Sequence, residues 1–177
     1  ARVSIDLDRG RRISLTDPRA LCTVTYHKPG HPPALDLGPE PEDRTITAAW
    51  LRERLSTKRG PIKPLLLDQR LLAGIGNIYA SESLFRAGIS PLRAANRISR
   101  ERYGRLVPAI RQTLSDAIAA GGSSIRDYVH SDGGAGCFQV ECAVYDRTGE
   151  PCRRCDGVVR QVRQGGRSTF YCAACQH

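Results

Sequence analysis

The feature that most constrains this chain is the spacing Cys152-x2-Cys155-x16-Cys172-x2-Cys175. Each pair fits one tight turn that aims two sulfurs the same way, and the stretch between the pairs has room for a β-hairpin. Zinc takes four thiolates tetrahedrally, and a site with four protein ligands keeps no open position for a substrate. The expected cofactor is therefore one structural Zn2+ held by Cys152, Cys155, Cys172 and Cys175, clamping a unit too small to build a core of its own. His177 is a stray further ligand candidate, but four thiolates complete the shell. Cys22, Cys137 and Cys142 are scattered, and an odd total of seven argues against a disulfide framework and for a reducing compartment.

Charge narrows the partner. Lys and Arg number 27 against 18 Asp and Glu, a formal net charge of +9, and a field of that sign attracts polyanions, nucleic acid first. Only Lys28, Lys58 and Lys63 are lysines. Arginine suits bidentate phosphate contacts, although a GC-rich coding sequence produces the same bias. No apolar run approaches the roughly 20 residues of a membrane span, and Ala1 to Asp6 lacks the layout of a signal peptide. A cytoplasmic protein without membrane partners is expected.

The hydropathy pattern is that of an α+β chain. Val3, Ile5 and Leu7 alternate with polar residues, Asp8-Arg9-Gly10 turns the chain, and Ile13-Ser14-Leu15 and then Thr23 to Tyr26 read as further strands. That meander of two or three strands is too little to bury its own face. Residues 28–43 carry five of the eleven prolines and read as a linker or surface loop. Thr47 is placed to cap a short helix with Trp50, Leu51 and Leu55 on one side. From Leu65 the run LLLDQRLLA reads as helical, and Asn77 as the N-cap of a helix closed by Gly88. Ser99 caps the longest helix, in which Pro108 predicts a kink or a later start, and Gly121-Gly122 ends it. A short helical turn over 124–128, a glycine-rich loop from Ser131 to Gly136 and a strand over 138–145 complete the reading.

Two patterns outside the cysteines carry chemistry. Gly74-Ile75-Gly76-Asn77 joins two helices, and the first turn of a helix offers unpaired N–H groups and a dipole that suit a phosphate. The same pattern also serves as an ordinary interhelical connection. Between the cysteine pairs lie Arg160, Arg163 and Arg167, with Arg153 and Arg154 in the first turn. A zinc-held hairpin presents such cations rigidly to a nucleic-acid backbone, while the bland alternative is a solvated basic face. Arg167, flanked by glycines and hydroxyl residues, is the best placed of them.

The segments Ile62 to Asp68, Ala73 to Glu82 and Leu84 to Pro91 closely resemble the helix–two-turn–helix of the formamidopyrimidine-DNA glycosylase/endonuclease VIII family. Gly121 to Tyr128 and Tyr145-x-Arg147-x-Gly149-Glu150-Pro151-Cys152-x2-Cys155 resemble the family's lesion-side loop and zinc finger. The resemblance covers essentially the whole chain in order. It implies the last strands of an N-terminal β-sandwich over 1–27, a linker over 28–45, a helix–two-turn–helix domain with its lesion-side loop over 46–136, and a strand with zinc finger over 137–177. It also implies a bifunctional enzyme that removes oxidised purines and cuts the abasic strand, with double-stranded DNA carrying an oxidised base or abasic site as the partner of a monomer. By position, Lys58, Lys63, Gly76, Asn77 and Arg167 are expected at DNA, and Arg19 at the base left opposite a flipped nucleotide. Arg167 is further expected to donate a proton in strand cleavage. Base extrusion has a physical reason, because the glycosidic carbon is out of reach inside a stacked duplex.

Departures from the family pattern shape the functional reading. The family's N-terminal proline nucleophile, the glutamate after it and an assisting lysine have no counterpart in the opening strands from Ala1-Arg2-Val3 onward. Ala20, Leu21 and Cys22 replace the arginine, phenylalanine and glycine usual after Asp-Pro-Arg, leaving Leu21 as an aliphatic base wedge. The chain is expected to be the C-terminal two-thirds of such an enzyme, binding DNA but inactive alone. The alternative is a non-catalytic protein for damaged or abasic DNA.

Overall fold

Apolar alternation, helix caps and the four cysteines resolve into two units in a computed structural model that describes residues 2–17, 22–122 and 142–177. The units comprise Ala1–Leu35 and Asp36–His177. Arg19, Leu21, the helical turn at 124–128, the loop 131–136 and the start of the strand expected at 138 lie outside the described residues.

In the first unit, β1 (Arg2–Asp6) pairs antiparallel with β2 (Arg12–Thr16), matching Val3 to Leu15 and Ile5 to Ile13. Asp8-Arg9-Gly10 forms the turn, closed by the Leu7 N–H on the Arg11 carbonyl at 2.8 Å. Thr23 to Tyr26 form no strand. A β-branched run needs a cross-strand partner to become one, and none is present among the described residues.

The described residues of the second unit are built on four α-helices. Thr47 caps α1 (Ala48–Leu55) by accepting from the Trp50 N–H at 3.1 Å. Helix α2 is Ile62–Leu66, which corrects the longer helix read from Leu65 onward. Asp68 ends it locally, accepting from the Arg70 N–H and guanidinium. Pro64 fits because an N–H that early in a helix has no intrahelical acceptor. Helix α3 spans Asn77–Ala87. Helix α4 runs unbroken over Arg100–Ala119 from its Ser99 cap, so Pro108 marks no later start. Pro108 and Gly104, whose carbonyl loses its bond, are both exposed, so that oxygen faces solvent rather than a buried apolar surface.

The helices close around Leu51, Leu55, Ile62, Leu66, Leu84, Tyr103, Leu106 and Ile110. The proline-rich segment is pinned to this core from Gly38 onward. The Gly38 N–H donates to the Gln69 carbonyl at 2.8 Å, and Arg111 donates to the carbonyls of Pro41, Asp43 and Ile46. A second cluster, with Phe85, Val144, Val159 and Phe170, carries the C-terminal hairpin of β3 (Val159–Gln164) and β4 (Arg167–Cys172). The expected strand is not seen over its described part, 142–145. The N–H groups of Ala143, Val144 and Tyr145 instead converge on the buried Glu82 carboxylate, each at 2.9 Å, and a backbone wrapped around an anion cannot also enter a ladder.

Candidate nucleic-acid interface

The hairpin begins from its cysteines. The four sulfurs lie within 4.8 Å of one another, with Cys152 and Cys175 at 3.9 Å and Cys155 and Cys172 at 3.6 Å. Zn–S bonds of about 2.3 Å arranged tetrahedrally place sulfurs about 3.8 Å apart, so the set fits one structural Zn2+. Burial opposes ionisation of Cys152, yet the N–H groups of Arg154 and Cys155, together with hydrogen bonds from the Cys172 and Cys155 thiols, outweigh it and bring the thiol down to about 7. Burial, then the neighbouring sulfurs, push Cys175 up to about 12. Four thiolates in one cluster therefore need a cation. A Cβ on Gly157 would meet Cys155 Sγ at 3.3 Å, so glycine leaves the sulfurs their space.

The zinc unit is fastened to α3. Arg154 stacks over the Phe85 ring at 4.4 Å and donates to the Phe85 carbonyl at 3.1 Å, so this arginine serves the fold rather than a ligand. Gln176 bridges the Cys172 N–H and the Ile89 carbonyl, both at 2.9 Å. At the far end the hairpin turns through Gly165-Gly166, both at positive φ, the backbone of the tight turns that match strand twist.

This fastening brings β4 onto the turn between α2 and α3. Gln69 braces that turn, accepting from the Gly74 N–H at 2.9 Å and donating to the Ile75 carbonyl at 3.0 Å. Gly76, not Asn77, is the N-cap of α3, and it supplies no capping side chain. Asn77 is the first helical residue and its amide is used elsewhere. Its Oδ1 accepts from Lys63 Nζ at 2.6 Å, and its Nδ2 donates to the Ser168 carbonyl at 3.0 Å. Lys63 also donates to the Ser168 carbonyl at 3.0 Å and to Thr169 Oγ1 at 2.8 Å. This ammonium is buried against neutral oxygens, with no carboxylate partner among the described residues. Burial, and secondarily the nearby Arg167 charge, lower its pKa to about 8. Arg167 is exposed and unpaired among the described residues, and the N–H groups of the half-buried Asn77 and the buried Ile78 have no acceptor among those residues.

Two cations and an amide thus gather where α3 begins, without an anion among the described residues. Lys58 stands apart from them, in a hollow of about 370 Å3 lined by Arg54, Asp68 and Arg70 as well. Arg160 and Arg163 are exposed on β3. Sequence reasoning missed Glu82, Gln69 and Thr169; Glu82, an acidic residue amid the apolar face of α3, was the one with a local signal.

Residues 37–129 match the H2TH domain of formamidopyrimidine-DNA glycosylase. The chain belongs to that family. Residues 149–177 match the zinc finger found in formamidopyrimidine-DNA glycosylase and isoleucyl-tRNA synthetase. The chain is 62% identical over 175 residues to the formamidopyrimidine-DNA glycosylase of Dechloromonas aromatica (strain RCB), covering 95% of this chain and 63% of that protein. It therefore spans less than two-thirds of this relative's length. The fold is similar to MutM (Fpg) from Thermus thermophilus, with TM-score 0.75 and 44% identity over 80% of this chain and 54% of that one. It is also similar to Lactococcus lactis Fpg in complex with DNA containing an abasic site, with TM-score 0.74 and 39% identity over 80% and 52% of the two chains. No helix among the described residues is long and apolar enough to cross a membrane.

Proposed function

We propose that this chain is the DNA grip of a bacterial, cytoplasmic base-excision repair protein. In this reading it acts as a monomer on duplex DNA carrying an oxidised purine or an abasic site. The observation that carries the reading is the Lys63–Asn77–Arg167 cluster, whose cations are held together without a carboxylate among the described residues. A phosphate supplies the missing charge, accepting from Arg167 and from the Asn77 and Ile78 N–H groups. Gly76 leaves the approach open, because a Cβ there would meet nothing within 4 Å. Lys58 reaches a neighbouring phosphate, while Arg19 and Leu21 attend the gap left by an extruded base. Arg167 doubles as the proton donor in strand cleavage when the complete glycosylase/AP lyase is assembled.

The chain alone binds rather than cuts. A Schiff base needs an unengaged amine, and Lys63, the amine of this cluster, directs its N–H groups at three acceptors. Borohydride trapping on a duplex with a single abasic site tests this directly. Binding without a trapped adduct is expected. Efficient trapping by this chain would mean that it holds an amine nucleophile of its own, and failure to prefer duplex DNA over a neutral competitor would remove the reading altogether.

A further inference from the structure

Segments 58–62 and 93–97 are laced together by backbone hydrogen bonds. The Asn96 N–H donates to the Lys58 carbonyl at 2.9 Å, Ala95 to Gly60 at 3.0 Å, and Ile62 to Arg93 at 2.9 Å. Beneath them the buried Tyr103 hydroxyl donates to the Ala95 carbonyl at 3.0 Å, which fixes the pair to the helical core. The outer side of this frame is concave. One hollow of about 490 Å3 is lined by Arg59, Ala94, Asn96 and Arg97. A second, of about 470 Å3, shares Ala94 and Arg97 and adds Arg93, Ser90 and His177 among its walls. Among the described residues neither lining contains a carboxylate side chain, and the His177 main-chain oxygen in the second accepts from Arg102.

Exposed arginines are ordinarily solvated or paired, and elsewhere in this unit several are paired. Arg54 meets Glu53, Arg70 meets Asp68, Arg86 meets Asp116, Arg105 meets Glu101 and Arg147 meets Glu150. Arg59, Arg93 and Arg97 have no such partner among the described residues. Their groove is also tied to the hairpin, since Gln164, the cross-strand partner of Arg167, donates to the Pro91 carbonyl at 3.3 Å.

We propose that this arginine-lined groove is a second backbone-binding surface, taking phosphodiesters of the duplex flank beyond the Lys63–Asn77–Arg167 cluster. The assignment rests on the reading that the chain binds DNA. Guanidinium groups on a braced frame meet successive phosphates without reading sequence, so the groove lengthens the footprint and steepens the salt dependence while leaving lesion choice untouched.

The test compares the zinc-loaded chain with a double variant, Arg59→Ala with Arg97→Ala. Both are measured on a short duplex covering only the central cluster and on a longer one with flanks. Unchanged affinity for the short duplex is expected. On the long one, binding weakens about ten-fold and the slope of log affinity against log salt falls by about 2, since each phosphate contact contributes about 0.9. Lysine at both positions restores the slope. An unchanged slope on the long duplex, or an equal loss on both lengths, overturns the groove while wild-type binding keeps the grip itself. Tighter competition by an acidic peptide than by duplex DNA of equal charge also overturns it. A wild-type chain that binds neither duplex sinks both readings.

Discussion

Lys63 Nζ lies 2.6 Å from Asn77 Oδ1, joining the first turn of α2 to the first residue of α3 at the point where β4 also arrives. Asn77→Asp separates the structural from the binding role of this contact. A carboxylate at 77 pairs with the buried ammonium, which offsets the loss of the Nδ2 bond to the Ser168 carbonyl, so the fold is kept, but it places a negative charge where a phosphate is proposed to sit. Unfolding free energy within about 1.5 kcal/mol of wild type, together with loss of DNA binding, is the expected outcome in denaturant titration and fluorescence anisotropy. Asn77→Ala instead leaves Lys63 short of an acceptor and costs about 1–3 kcal/mol. DNA binding retained in Asn77→Asp would remove the phosphate from this site.

The same lysine gives binding a pH dependence. Its pKa is lowered from 10.5 to about 8, so the unliganded chain loses the ammonium as pH rises through that value. A phosphate beside it favours the charged form, so DNA binding takes up a proton near pH 8 and weakens above it. Stability runs the other way. Below about 8 the native state carries the full cost of a buried ammonium, and between about 8 and 10.5 the unfolded chain holds more protons, so Lys63 adds stability as pH rises. Calorimetry in buffers of different ionisation enthalpy measures the uptake. Lys63→Arg, which stays charged, is expected to abolish it.

What was legible in the sequence was local. Thr47 and Ser99 cap their helices through bonds three residues long, and the cysteine pairs announce their geometry by spacing. The run from Leu65 misled because apolar periodicity says nothing of Asp68 and Gln69, whose side chains take over the backbone groups that a longer helix would need. Asn77 likewise looks like a cap but faces inward, because its partners Lys63 and Ser168 lie 14 and 91 positions away. The contacts of Lys63 with β4 span 105 and 106 positions. No local pattern encodes a juxtaposition that exists only when the helical core and the zinc hairpin are packed together.

Zinc removal is expected to uncouple the hairpin from the helices. The helical core runs from Ile46 to Leu114 and includes no residue of the hairpin, whereas the four cysteines hold β3 and β4 in place. Chelation therefore frees Ser168 and Thr169 from Lys63 and abolishes DNA binding, while the far-ultraviolet signal of the helices largely persists. Zinc readdition restores binding. Loss of the helical signal in step with the metal would show that the helices depend on the finger for their own stability.

Glu82 is expected to be a sensitive structural residue outside the zinc site. Its carboxylate is buried and accepts three backbone N–H groups from the segment that leads into the zinc unit. Such an anion is favoured only while all three donors face it, and charge-assisted bonds of this kind contribute about 1.5–3 kcal/mol each when lost singly. Glu82→Gln keeps the size but replaces one acceptor oxygen with a donor, which points at N–H groups already aimed inward. Destabilisation of about 2–4 kcal/mol is expected in denaturant unfolding. Amide exchange at Ala143, Val144 and Tyr145 should accelerate while α4 stays protected, because α4 does not touch that carboxylate through any hydrogen bond among the described residues. A change below about 0.5 kcal/mol, the range of ordinary surface substitutions, would mean that these three N–H groups find other acceptors and that Glu82 does not set the position of the segment.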